Sequence, residues 1–248
     1  MQQIFATPKD DKSNPYSTVN AAPKGQFCKP YSSQELRNGT MRFDLLKANA
    51  GLTVVGLKFG REVEALWRQY LRGGTGKRLE ITKDKYPTVY QSFVNAKANE
   101  SVASLICSNI AVRMSLGEIA KKGGVFDIQK LVPADELREF VSMLRYSKKD
   151  GAAGNLAGNF TSGSDFGKDT RSVTGKAHIK FLTNKSVQIK LVLNITVNDA
   201  IDLCPGQPGD KDEQLLTVPL SRLEKSGMAG DIGFSVSYPY TYTELKKL

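Results

Sequence analysis

Between Ser186 and Val197 apolar residues occupy every second position: Val187, Ile189, Leu191, Leu193, Ile195 and Val197. A period of two marks a strand with one face buried. In "KAHIKFL" the residues Ala177, Ile179 and Phe181 alternate with polar neighbours in the same way. The intervening "TNKS" predicts a hairpin. A loop over Thr183 to Lys185 sets Phe181 opposite Val187 and Ile179 opposite Ile189, which keeps both apolar sets on one face. A further alternating strand is predicted in "MAGDIGFSVSYPYTY".

Upstream the period changes to that of a helix. In "REVEALWRQYL" the residues Val63, Leu66, Trp67, Tyr70 and Leu71 share one face, and Gly73-Gly74 supplies the stop. Residues 88–122 predict further helix, with "SVASLICSNIAVRM" apolar on most sides and therefore buried. Ser115 and Glu118 have the spacing of a capping box, which predicts a short last helix ending at Gly123-Gly124. Pro133 opens "PADELREFVSML", with Leu137, Phe140, Val141 and Leu144 on one face. The apolar "LTVVGLKF" at 52–59 fits either a strand or a helix lead-in. Residues 1 to about 40 are rich in Pro, Ser, Asn, Lys and Gly and predict an extended arm.

The expected fold class is α+β, with an N-terminal helical block followed by a twisted, partly barrel-like antiparallel β-sheet. The expected organisation is a flexible arm over 1–50, a mainly helical region over 51–150 and an antiparallel β region over 151–248. Residues 51–248 form one folded unit in this reading.

The chain has 248 residues and a net charge of +10, from 35 basic and 25 acidic residues. Such a balance favours anionic partners. The charges are dispersed and no aromatic RNA-binding signature occurs, so no specific nucleic acid is expected. With three scattered cysteines, no CxxC pair and one histidine, a Cys/His zinc site and a disulfide framework are both disfavoured. A single bridge stays open, without an assignment. The first residues are polar and lack the apolar core of a signal peptide, so export is expected to be independent of one.

Three stretches bear on chemistry. "GGTGKR" fails the phosphate-loop template, because Leu71 stands where its first glycine should be and Arg78 where Ser/Thr should be. It reads as a helix C-cap. His178 falls on the polar face of its strand, beside Lys190, and is expected to be a surface residue. The end of the long strand carries Asp199 and Asp202 ahead of "CPGQPG". Asp199 continues the inward parity of Val187 to Val197, so these carboxylates read either as turn caps or as the rim of an active site holding a divalent cation or a base. Cys204, beside them, reads as a buried loop cysteine.

Four segments, taken in order, resemble the activity domain of the colicin M family: "EALWRQYLRGGTGKRLEI", "GNLAGNFTS", the hairpin "TGKAHIKFLTNKSVQIKLVLNITVNDAIDL", and "PLSRLEKSGMAGDIGFSVSY". Together they cover about residues 60 to 248. That family cleaves the undecaprenyl-phosphoryl bond of lipid II in the periplasm, with Mg²⁺, through an Asp-x-Tyr-Asp motif followed by His-Arg. Asp199 and Asp202 match the two aspartates. Ile201 stands at the tyrosine, and the His-Arg pair has no match. Lys211 and Arg222 are the cations nearest to where that pair belongs.

The resemblance implies an antibacterial toxin acting on a lipid-linked phosphate substrate. Asp199 and Asp202 would hold Mg²⁺ and Lys211 and Arg222 would assist. It also implies a cognate immunity protein and a secretion or injection apparatus. The protein would be made in the cytoplasm and would act in the periplasm or at the inner membrane of a target bacterium. Two rivals stand beside it. One is a binding or membrane-perturbing toxin of the same fold without hydrolysis. The other, resting on charge alone, is a nucleic-acid-binding protein or nuclease.

Overall fold

The computed structural model describes the backbone of residues 5–6, and residues 26–157, 170–183, 185–204, 209 and 211–248. Eight α-helices are present among them: α1 (Ser33–Arg37), α2 (Thr40–Phe59), α3 (Arg61–Leu71), α4 (Pro87–Val94), α5 (Lys97–Ser115), α6 (Ala134–Ser142), α7 (Gly151–Leu156) and α8 (Lys211–Lys225). The strands are β1 (Phe5–Ala6), β2 (Leu79–Ile81), β3 (Gly124–Asp127), β4 (Thr170–Thr183), β5 (Ser186–Ile201) and β6 (Ile232–Lys247).

The six strands form one open sheet of order β1-β4-β5-β6-β2, with β3 also on β4. Most pairs are antiparallel, but β2 runs parallel to β6, so the sheet is mixed. It does not close on itself among the described residues, and the expected partial barrel gives way to an open sheet. The mixture of helix and sheet was expected, but β2 and β3 lie inside the predicted helical region and α8 inside the predicted β region.

The hairpin register matches the expectation: Phe181 pairs with Val187, Ile179 with Ile189 and His178 with Lys190. A shift between Phe181 and Thr183 narrows the turn, so that Thr183 pairs directly with Ser186. Period-two alternation sets this register, since slipping by one residue would expose the odd-numbered residues from Val187 to Val197, all of them buried. The opposite face carries Lys176, His178, Lys180, Lys190 and Asn194 in water. Helices α4, α5 and α6 cover the inner face. Phe93 of α4 is central there, with its ring 4.9 Å from that of Tyr146 and 6.0 Å from that of Phe234.

Two expectations fail in the helical part. Residues 33–50, predicted within an extended arm, belong largely to α1 and α2, and "LTVVGLKF" is the second half of α2. The arm residues 7–25 lie outside the described residues. Ser115 opens no helix before Gly123: it ends α5, and Glu118 forms an ion pair with Arg113 at 3.0 Å. α3 and α6 form as their amphipathic patterns predict.

Candidate active-site rim at the end of the sheet

Asp199 continues the inward-facing positions near the end of β5, with only Ile201 beyond it on that parity, and is 1% exposed. Its Oδ2 accepts a bond from Nη2 of Arg171 at 3.0 Å, and Arg171 is itself fully buried. Its Oδ1 accepts the Ala200 amide at 2.8 Å. Arg171 also donates to the carbonyls of Leu144 and Ala157, and its guanidinium lies over the Tyr146 ring at 5.4 Å. Asp199 is thus an internal counter-ion.

That geometry bears on the expected Mg²⁺. A cation needs carboxylate oxygens it can reach, and at Asp199 a guanidinium already balances the charge inside the core. Among the described residues no group of three or more His, Cys, Asp or Glu side chains is arranged to hold a metal. Asp199, the first of the predicted pair, does not fit the ion.

The other predicted residues go to different places. Lys211 is exposed at the first position of α8. Arg222, 4% exposed, faces the N-terminal segment. It donates to Glu35 at 2.7 Å and to the Lys29 carbonyl at 3.3 Å, lies 3.8 Å from Asp44, and covers the Tyr31 ring at 4.1 Å. It is a latch between α8 and residues 29–44. Arg222 and Asp199 therefore serve separate buried pairs. His178 lies on the open face of the sheet, as expected. Cys204 is not a free loop cysteine: it forms a disulfide with Cys28, 176 residues away.

Asp202 alone of the four points to a cluster that sequence reasoning missed. Here the end of α3, the exit of β5, the last turn of α8 and the entry to β6 converge. The Tyr70 hydroxyl donates to Oε2 of Glu224 at 2.6 Å, and the same oxygen accepts the Leu203 amide at 3.0 Å. Burial pushes the Glu224 carboxyl above its ordinary 4.5. The bonds from Tyr70 and Leu203 oppose that rise, and the nearby charge of Asp231 adds to it. The Tyr70 phenol is pushed well above 10.0 by burial, with Glu224, Asp231 and Asp202 adding to the rise. Arg78 donates to the carbonyls of Phe234 (2.8 Å) and Asp199 (3.2 Å), joining β5 to β6 at this rim.

The glycines after α3 allow this convergence. Gly74, at φ +74°, lies so close to β6's entry that a Cβ there would meet the Asp231 carbonyl oxygen at 2.3 Å. The Gly230 amide donates to the Tyr70 carbonyl at 2.9 Å, and the Thr75 amide to that of Asp231 at 3.3 Å. "GGTGKR" is a helix stop, as expected, and also the bolt that holds α3 against the start of β6.

Chemically, the rim offers a carboxyl group biased towards its protonated form, bonded to a phenol and set near two further carboxylates. Burial of such a group favours its proton-bearing form, the form that can give a proton to a departing oxygen. Comparison of the chain with protein-family models, curated proteins and solved structures finds no match. The likeness to the colicin M family therefore rests on the four quoted segments. Three of them contribute to this rim, through Tyr70, Asp202 and Glu224. Most of the fourth, "GNLAGNFTS", lies outside the described residues.

Proposed function

We propose that the protein is an antibacterial effector that hydrolyses a lipid-linked phosphate of the lipid II type at a membrane face, with Glu224 as the proton donor. The carrying observation is the raised Glu224 carboxyl, held by Tyr70 and the Leu203 amide beside Asp202 and Asp231. Cleavage of a polyprenyl-phosphate linkage leaves an oxygen that must gain a proton, and a raised carboxyl supplies it where the His-Arg pair is missing. Water's oxygen takes the place of the lipid oxygen on phosphorus. Asp202 accepts the proton that water loses, and Glu224 gives its own to the leaving oxygen.

The Cys28–Cys204 disulfide supports action in an oxidising compartment such as the periplasm, because such bonds persist there and are rare in the cytosol. An effector of this kind calls for an immunity protein in its producer and an export route. The burial of Asp199 favours a second reading, a toxin of the same fold that binds its target without hydrolysis.

The test is release of the undecaprenyl product from lipid II in detergent micelles, with and without Mg²⁺. Glu224→Gln and Asp202→Asn should each lower the rate by about 10²-fold or more, the usual contribution of a positioned acid or base. Undiminished release in both variants would remove the rim from the chemistry. No release from wild-type protein that still kills when directed to the periplasm would establish the second reading.

A further inference from the structure

Helix α2 is apolar on two opposite faces. Its inner face packs Ala48 and Leu52 into the core. Its outer face exposes Phe43 (58%), Leu46 (68%), Val54 (62%) and Leu57 (85%). Successive steps of three, eight and three residues keep these side chains on one stripe. A helix that is apolar all round is normally buried all round, and this stripe is covered by nothing among the described residues. It is also one-signed. Arg42, Lys47 and Lys58 are exposed on α2, while its one acidic residue, Asp44, is buried towards Arg222. Lys47 and Lys58 lay their ammonium groups over the rings of Phe43 and Phe59, at 4.4 and 5.1 Å.

We infer that α2 seats the protein on an anionic bilayer surface, its apolar stripe entering the headgroup boundary and its lysines meeting lipid phosphates. Charge complementarity selects this occupant: an apolar stripe bordered by cations, with the Glu64 carboxylate beside Gly56 already paired with Arg68 at 2.7 Å, is the pattern of an interfacial helix. The preference for a bilayer over a protein partner rests on the lipid-linked substrate proposed above. The helix lies along the surface rather than across it, since no described helix is long and apolar enough to span a membrane.

The experiment is co-sedimentation of the full chain with vesicles of neutral phosphatidylcholine, and with vesicles containing about 30% phosphatidylglycerol, neither carrying lipid II. Wild-type protein should partition onto the anionic vesicles about tenfold more strongly than onto the neutral ones. Leu46→Glu/Leu57→Glu should lower binding to the anionic vesicles by about tenfold or more. Both positions face water, so the far-ultraviolet circular dichroism of this variant should match wild type. Lys47→Glu/Lys58→Glu should abolish the preference for anionic lipid. Failure of wild-type protein to bind either vesicle, or equal binding by the Leu46/Leu57 variant, would overturn the inference. So would a wild-type dimer that this variant dissociates, which would assign the stripe to a second copy of the chain. Hydrolysis of micellar lipid II needs no bilayer, so the Leu46/Leu57 variant should keep that activity. A failure of docking and a failure of the rim are thereby separated.

Discussion

Asp199→Ala should unfold the protein more readily, and the size of the effect follows from what Asp199 touches. Its carboxylate meets a guanidinium that no water reaches, at 3.0 Å. Removing one partner of such a pair costs about 3–5 kcal/mol, because the other charge stays buried without its counter-ion. The carbonyls of Leu144 and Ala157 remain to Arg171 but carry no full charge. Loss of the bond from the Ala200 amide adds about 1 kcal/mol. The total is a large part of the roughly 5–15 kcal/mol that holds a domain together. Asp199→Asn keeps the shape and one acceptor but leaves the Arg171 charge uncompensated, so it should still cost about 3 kcal/mol or more. Arg171→Met/Asp199→Leu removes both charges and should recover most of the loss. Urea unfolding at neutral pH, followed by the fluorescence of Trp67, the sole and largely buried tryptophan, reads all three. A cost under about 1 kcal/mol for Asp199→Ala would refute the assignment of Asp199 as a core counter-ion. The same arithmetic disqualifies Asp199→Ala as a catalytic control, because any activity it lost could be lost through the stability of the fold. Asp202→Asn is the informative substitution.

Glu224→Gln should change how stability depends on pH. The raised carboxyl of Glu224 contributes stability below its unfolded value of about 4.5, and that contribution is lost as pH rises through the higher folded value. Glutamine does not titrate, so the stability of the variant relative to wild type should improve from about pH 4 to pH 8, as read by denaturant midpoints across that range. Thiol counting tests the disulfide. With three cysteines and one bridge, the unreduced chain should show one reactive thiol in denaturant and three after reduction. The native protein should show none, since burial pushes the Cys107 thiol up to about 12. Three thiols before reduction would sink the bond.

The parts of the fold that could be read from the sequence are those written in local periodicity. The β4–β5 register followed from odd-position alternation, and α3 and α6 from one-sided apolar faces. α2 was hidden because its two apolar faces cancel any one-sided pattern, and Gly51 and Gly56 weaken its helical character. At the candidate site, parity placed Asp199 inward but not its partner. Arg171 shares the inward parity of Val173, Ala177 and Ile179, and in the β4–β5 register it lies diagonal to Asp199. Continuing that parity back along β4 would have exposed the pair. The Tyr70–Glu224 bond spans 154 residues and the Cys28–Cys204 bridge 176. No pattern within either segment marks the other.

The latch between residues 28–44 and α8 also sets an order of assembly. Cys28 and Lys29 find their partners on Ser221 and Arg222, 193 residues further along the chain. Contacts of such high sequence separation are slow to close, because a long loop must be ordered before they reward it. On the ribosome, α1 and α2 emerge well before the helix they dock on. The N-terminal layer is therefore built first and closed last. Until α8 appears, Cys28 has no partner sulfur held in place for it, and the segment that carries it stays extensible.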